Sequence, residues 1–259
     1  MNTVFAIAGV AIKELYRRKD FYVLFVLSAL ITIAAGSVNF FKDLVMVRYV
    51  KDICLLLIWF STIIIAVITA ARQIPAEKES RTIFPLLAKP VSRGQVIAGK
   101  FLGCWLAVGI AVLVFYVFFI LVTATKGGDW QLVPYAKSIG LLWIMLGVVI
   151  AMTLLGSVVF AAVSSNATIC LVAIFGILLL GEHLNKIAQR QAEPVKSITY
   201  SVYYLIPHLE IADVRNLLVN NKPMPGLKAC GKAALYDAAY TTLFLYSAWM
   251  IFRRQRLNT

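Results

Sequence analysis

As a string of apolar and polar positions, the chain divides into long unbroken apolar stretches separated by short charged ones. Runs approaching 20 apolar residues are what an α-helix needs to cross roughly 30 Å of hydrocarbon. They show neither the alternation of a half-buried strand nor the single apolar stripe of a soluble helix. Such stretches fall at residues 21–40, 53–71, 101–123, 139–163, 166–181 and 233–252. They predict an all-α integral membrane fold with six transmembrane helices. The fourth and fifth come from one uncharged stretch, Ile139 to Gly181. A single helix of that length would measure roughly 64 Å, about twice the hydrocarbon thickness. Its one polar cluster, Ser164-Ser165-Asn166, places the turn, with Asn166 as the N-cap of the fifth span.

The polar stretches between the spans carry their own patterns. Residues 2–19 mix Phe5, Ile7, Val10, Ile12 and Leu15 with small and polar residues and end in Lys13, Glu14, Arg17, Arg18 and Lys19, which suits an interfacial helix lying on the membrane. A short loop with Lys42, Asp43, Arg48, Lys51 and Asp52 leads into the second span. The longest charged segment, Arg72 to Lys100, separates spans two and three, and Ser92-Arg93-Gly94-Gln95 within it has the form of a capping box after Pro90. Its charged half and its apolar cluster Ile83, Phe84, Leu86 and Leu87 suit a helix at the cytoplasmic membrane face with one side open to a partner. A plain connecting loop is the alternative. Residues 182–232 form an outer loop with an apolar-rich piece at 198–206, a short helix at 209–219 and a turn around Lys222-Pro223-Met224-Pro225-Gly226.

Composition supports the membrane reading and disposes of a competing one. Hydrophobic residues are 61% of the chain and charged residues 14%, against about 45–50% and about 25% in soluble domains. The 25 Lys+Arg and 12 Asp+Glu give a net charge of +13, which in a soluble protein would raise nucleic acid binding. Here the positive-inside tendency accounts for it, and no nucleic acid partner is expected. With the N-terminus inside, thirteen cations lie on the cytoplasmic side: Lys13, Arg17, Arg18 and Lys19, then Arg72, Lys78, Arg81, Lys89, Arg93 and Lys100, then Arg253, Arg254 and Arg256. Five lie in the short outer loops: Lys42, Arg48, Lys51, Lys126 and Lys137. Five spans instead of six would put the basic tail outside. The run 21–40 exceeds a signal-peptide core and reads as an uncleaved first span.

Candidate chemistry is sparse. The only charged side chain inside the spans is Asp237, an interfacial residue near the outer end of the last one. Ion-coupled carriers place ionisable groups near the midplane, so a self-powered carrier is disfavoured. The stretch Gly94 to Lys100 matches the first seven positions of a P-loop, but Phe101 stands where Ser or Thr must reach Mg²⁺ and no strand precedes it. It reads as a helix start with a snorkelling Lys100. His183 and His208 are the only histidines, and neither joins a ligand cluster or a triad; His208 sits beside Glu210 on a surface helix. Cys54, Cys104 and Cys170 lie in apolar runs and Cys230 in a polar one, without CxxC spacing or a disulfide framework. No catalytic residue, metal site or resident cofactor is expected in this chain.

The pattern Glu77-x-Glu79-Ser80-x-Thr82, then Leu86-Leu87, Pro90-Val91-Ser92-Arg93 and Gly99-Lys100, resembles the loop between spans two and three of type 2 ABC exporter permeases. That family includes subunits that move drugs, lipids or polysaccharides and others that serve copper-enzyme maturation or gliding motility. The resemblance extends to the six-span plan, the interfacial N-terminal helix and the outer segment Leu205 to Glu210. It implies a permease of the bacterial inner membrane with both termini cytoplasmic, paired with a second copy or a sister permease. It also implies a cytoplasmic coupling helix that docks on separate ATPase subunits, which carry ATP and Mg²⁺. Glu77, Glu79, Thr82, Leu86, Leu87, Pro90 and Arg93 are then the docking residues. Where the family usually has Gly before the Thr, this chain has Arg81. A reading from another class is a membrane scaffold or intramembrane enzyme that works without an ATPase.

Overall fold

A computed structural model describes residues 3–17, 19–37, 43–79, 92–125, 131–188 and 195–255. Every regular element among them is helical. In chain order they are α1 (Thr3–Arg17), α2 (Lys19–Ser37), α3 (Asp43–Ala71) and α4 (Pro75–Glu79). Next come α5 (Arg93–Thr125), α6 (Leu132–Val159) and α7 (Val163–Ala188). They are followed by α8 (Val195–Leu205), a 3-10 turn (Leu209–Ala212), α9 (Arg215–Val219) and α10 (Leu227–Arg254).

Arg48–Glu79, Arg93–Ala124 and Leu132–Val159 are long and apolar enough to cross a membrane, and Tyr22–Ile31 and Val163–Leu179 are shorter apolar helices. Helix α6 is the centre of the bundle and packs against α3, α5, α7 and α10. Met145, Leu146 and Ile150 on it are fully buried. The outward faces are apolar as well: Ile110, Leu113, Val117 and Leu121 of α5 and Leu235, Leu243 and Tyr246 of α10 are exposed. Helices that are apolar inside and outside are suited to hydrocarbon and ill suited to water.

Without a hydrophobic drive between helices in lipid, close packing and interhelical hydrogen bonds must hold them. A tryptophan pair does this between α5 and α6. Trp105 Nε1 donates to the Trp143 carbonyl at 3.0 Å and Trp143 Nε1 to the Trp105 carbonyl at 2.9 Å. Their rings stack at 4.4 Å and 14°. Gly109 makes the space, since a Cβ there would lie 2.5 Å from Trp143 Nε1.

Several boundaries differ from the sequence expectation. Of the loop expected over 42–52, residues 43–52 are the start of α3, with Val50 and Lys51 buried and Lys51 Nζ donating to Asn221 Oδ1 at 3.4 Å. The break between α6 and α7 falls at residues 160–162, ahead of Ser164-Ser165-Asn166: Phe160 is extended and its N–H closes on the Gly156 carbonyl at 2.8 Å. Asn166 is therefore inside α7 and not its N-cap; its N–H already bonds the Ala162 carbonyl at 3.1 Å. The helix expected over 209–219 is split at Asp213. That carboxylate takes the Arg215 N–H at 3.1 Å and the guanidinium at 2.8 and 2.6 Å, so the side chain replaces a backbone turn. Leu209, Ala212, Val214, Leu218 and Val219 belong to the main core, and Arg215 lies 4.1 Å over the Trp59 ring of α3. The Ser92 capping box is present as expected, with Gln95 N–H to Ser92 Oγ at 3.2 Å and Ser92 N–H to Gln95 Oε1 at 2.9 Å.

Gly109→Ala is expected to lower the thermal unfolding midpoint in detergent by overpacking worth about 1–3 kcal/mol. Gly176→Ala, on a glycine with nothing within 4 Å, should leave it unchanged or raise it through helix propensity of up to about 1 kcal/mol. Equal midpoints for the two variants would contradict the packing described.

Candidate functional site

The polar residues of the bundle gather where α3 ends and α5 begins, and one proline organises them. Pro75 has no N–H, so the Ala71 carbonyl four residues earlier loses its helical donor. Asn166 of α7 supplies the replacement, with Nδ2 3.2 Å from the Ala71 carbonyl and 3.3 Å from the Thr153 carbonyl of α6. Its Oδ1 accepts the Cys170 thiol at 3.3 Å. Fully buried, Asn166 thus uses its donors and its acceptor across three helices. A Cβ on Gly156 would overlap that oxygen, so α6 and α7 meet only because the position is glycine.

The turn 72–74 frees a second carbonyl, and a cation takes it. Lys100 Nζ lies 2.6 Å from the Gln73 carbonyl and 2.7 Å from Glu77 Oε1 of α4. The Lys100 side chain is only 4% exposed against 31% for Glu77, which corrects the snorkelling expected of it. Gly99 beside it rests on Val4 and Ile7 of α1, so the stretch that imitates a P-loop is a helix–helix contact. Removing one partner of a buried ion pair costs about 3–5 kcal/mol, with the lower end applying where one partner is a third exposed.

A third tie joins the ends of α5 and α10. The Arg93 Nη1 atom faces the carbonyls of Phe252, Arg253 and Gln255 at 2.6, 3.0 and 2.9 Å. These are unsatisfied acceptors at a helix C-terminus, where a cation is favourable. Gln255 then bridges outward: its Nε2 donates to the Val158 carbonyl at 2.7 Å and its Oε1 accepts Lys78 Nζ at 2.9 Å. Between α4 and the α6–α7 turn lies an open groove of about 870 Å³, lined by Arg72, Pro75, Lys78, Glu79, residues 158–164 and Gln255.

Of the expected docking residues, the structure brings Glu77, Glu79 and Arg93 to this corner. Glu79 is exposed, Glu77 is half-buried and turned towards Lys100, and Arg93 is turned towards α10. Thr82, Leu86, Leu87 and Pro90 lie outside the described residues. From the sequence Gln73 and Gln255 carry no expectation, and Lys100 and Asn166 carry other roles, a snorkelling cation and an N-cap; Pro75 is the available signal, by implying a carbonyl in need of a donor.

At the opposite end, His208 pairs with Tyr236, Nδ1 to the phenol oxygen at 2.7 Å, rather than with Glu210. Its ring meets Tyr203 edge-on at 4.1 Å, and burial lowers its pKa below the usual imidazole value. Asp237, expected at the interface, is 2% exposed. No three His, Cys, Asp or Glu side chains among the described residues gather as a metal site.

If Asn166 replaces the missing Pro75 N–H, the two positions are coupled. Asn166→Leu should destabilise by about 1–3 kcal/mol, the cost of orphaned buried carbonyls. Combined with Pro75→Ala, which restores an N–H to the Ala71 carbonyl, it should cost measurably less than the sum of the two single variants. Strict additivity of the unfolding free energies would refute the coupling.

The family comparison places this geometry. A family model described as ABC-2 family transporter protein matches residues 4–257, from α1 to just beyond α10. No curated protein matches the chain. With its apolar helices, the match makes this a multi-pass membrane protein. It is thus through nearly its whole length that the chain belongs to the ABC-2 family of transporter proteins.

Proposed function

We propose that the chain is the membrane-spanning permease subunit of an ATP-binding cassette exporter in the bacterial inner membrane. Helices α2, α3, α5, α6, α7 and α10 are its six spans and α1 lies at the interface. The fifth span is the apolar part, Val163–Leu179, of a continuous helix of 26 residues; at 1.5 Å rise that part is about 26 Å, the short end of what crosses hydrocarbon. Both termini are cytoplasmic, in keeping with the basic residues at the ends of α1 and α10. A second copy or a sister permease completes the path.

The observation that carries the reading is the short charged helix α4. It stands at the margin of the bundle beside a groove, and partly buried polar ties fasten it to α5 through Lys100 and, through Gln255, to the ends of α6 and α10. A loop that merely joined two spans would have no need of such fastening, whereas a helix that receives force from a partner does. Separate ATPase subunits, holding ATP and Mg²⁺, are that partner. They dock on α4, the groove and the following segment with Thr82, Leu86, Leu87 and Pro90. Glu79, exposed, faces the ATPase.

Co-expressed with the ATPases encoded beside its gene, the tagged chain should recover one of them in stoichiometric amount. Persistent failure to recover any would refute the reading. Glu79→Lys should cut the recovered ATPase several-fold while leaving the chain's own stability within about 0.5 kcal/mol, as expected for an exposed position.

A further inference from the structure

We infer that Lys100 is the positioning residue through which movement of α4 reaches the third span, an inference that rests on the proposed ATPase-driven reading. Helix α4 follows α3 across Pro75 and the turn 72–74, where the Ala71 and Gln73 carbonyls bond side chains in place of helical N–H groups, while Ala76 N–H to the Arg72 carbonyl at 3.1 Å and Lys78 N–H to the Ile74 carbonyl at 3.0 Å carry the backbone across. A helix that loses bonds at a proline bends more easily there than a continuous one. The side-chain ties beside that softened turn are a second route by which a displacement of α4 reaches the bundle.

Lys78 and Glu77 carry side-chain ties out of α4. Lys78 meets Gln255 through a single bond to a neutral amide at 2.9 Å. Glu77 meets Lys100 at 2.7 Å, and the same ammonium holds the Gln73 carbonyl at 2.6 Å. Lys100 thereby spans the hinge, gripping the turn before Pro75 and the helix after it. At 4% exposure its ammonium is shielded from water, so the ion pair is strong and resists separation. Among the described residues the Glu77 Oε2 atom is buried without a hydrogen-bond partner, so the described part of the molecule holds that carboxylate through Lys100.

Lys100 is also placed to pass the movement on. It is the last charged residue of α5 before the uncharged stretch of the third span, and α5 packs on α1, α3 and α6. Glu77, by this reading, is a link inside the permease, and Glu79 is the surface that meets the ATPase.

The test uses the full complex with its ATPase, followed by hydrogen–deuterium exchange with and without Mg²⁺, ATP and vanadate. In the wild type, trapping should change exchange in peptides from both α4 and α5. Glu77→Gln and Lys100→Met should still recover the ATPase and keep the response in α4 but lose most of it in α5. Lys100→Arg, which keeps the charge, should retain the α5 response. The Glu77→Gln/Lys100→Met double variant should lose no more than either single one. A wild-type α5 response in Glu77→Gln or Lys100→Met would overturn the inference, and so would loss of it in Lys100→Arg. If Lys100→Met does not assemble, Glu77→Gln decides, since it leaves Lys100 its bond to Gln73. A wild-type chain that recovers no ATPase, or shows no response in α4, would sink the reading beneath it instead.

Discussion

Pro75 cannot donate to the Ala71 carbonyl, and in a bundle that excludes water an unpaired carbonyl costs several kcal/mol. That single loss shapes the end of the molecule where α3 stops. Asn166 must reach from α7 to repair it, which fixes the depth of α7 against α3 and α6. Gly156 must be bare to admit Asn166. The turn that follows presents the Gln73 carbonyl, Lys100 comes to it, and the buried cation in turn requires Glu77. Each residue in this chain is there because the previous one left a polar group that hydrocarbon cannot solvate.

The remainder of the bundle obeys the same constraint with fewer charges. Trp105 and Trp143 exchange hydrogen bonds with each other's carbonyls, so two indole N–H groups that lipid could not satisfy become an interhelical clamp. Tyr116 and Ser138 share a bond of 2.7 Å in the same way, and Thr62, Thr123 and Thr153 return their hydroxyls to carbonyls of their own helices. At the other end Leu209, Ala212, Val214, Leu218 and Val219 of the 3-10 turn, α9 and the link between them close the core, and Arg215, paired with Asp213, lies 4.1 Å over the Trp59 ring.

Much of this was legible from the chain alone, and the failures have a common cause. Run length and the absence of charge identified the three long apolar helices α3, α5 and α6 and the shorter apolar stretches of α2 and α7, and the Ser92 capping box formed as its spacing implied, because both depend on residues close in sequence. Asn166 looked like an N-cap and Lys100 like a snorkelling cation because their local neighbours allow it. Their true partners lie 95 and 27 residues away. The helical start of α3 was missed for the same reason: Lys51 and Asp52 suggest a loop until Asn221 is seen holding Lys51. The α6–α7 break, set among Phe160, Ala161 and Ala162, carries no polar mark, since Ser164 and Ser165 sit on the exposed first turn of α7 instead.

Family membership and geometry meet at α4. The ABC-2 match covers nearly all of the chain, and the corner that the resemblance singles out is where the buried polar ties converge. Electron cryo-microscopy of the chain purified with its ATPase shows whether an ATPase acts on this corner. ATPase density should lie against α4 and the adjoining groove, with Lys100 and Glu77 still paired. An ATPase seated elsewhere with α4 bare, or particles of the permease alone, would contradict the proposed docking.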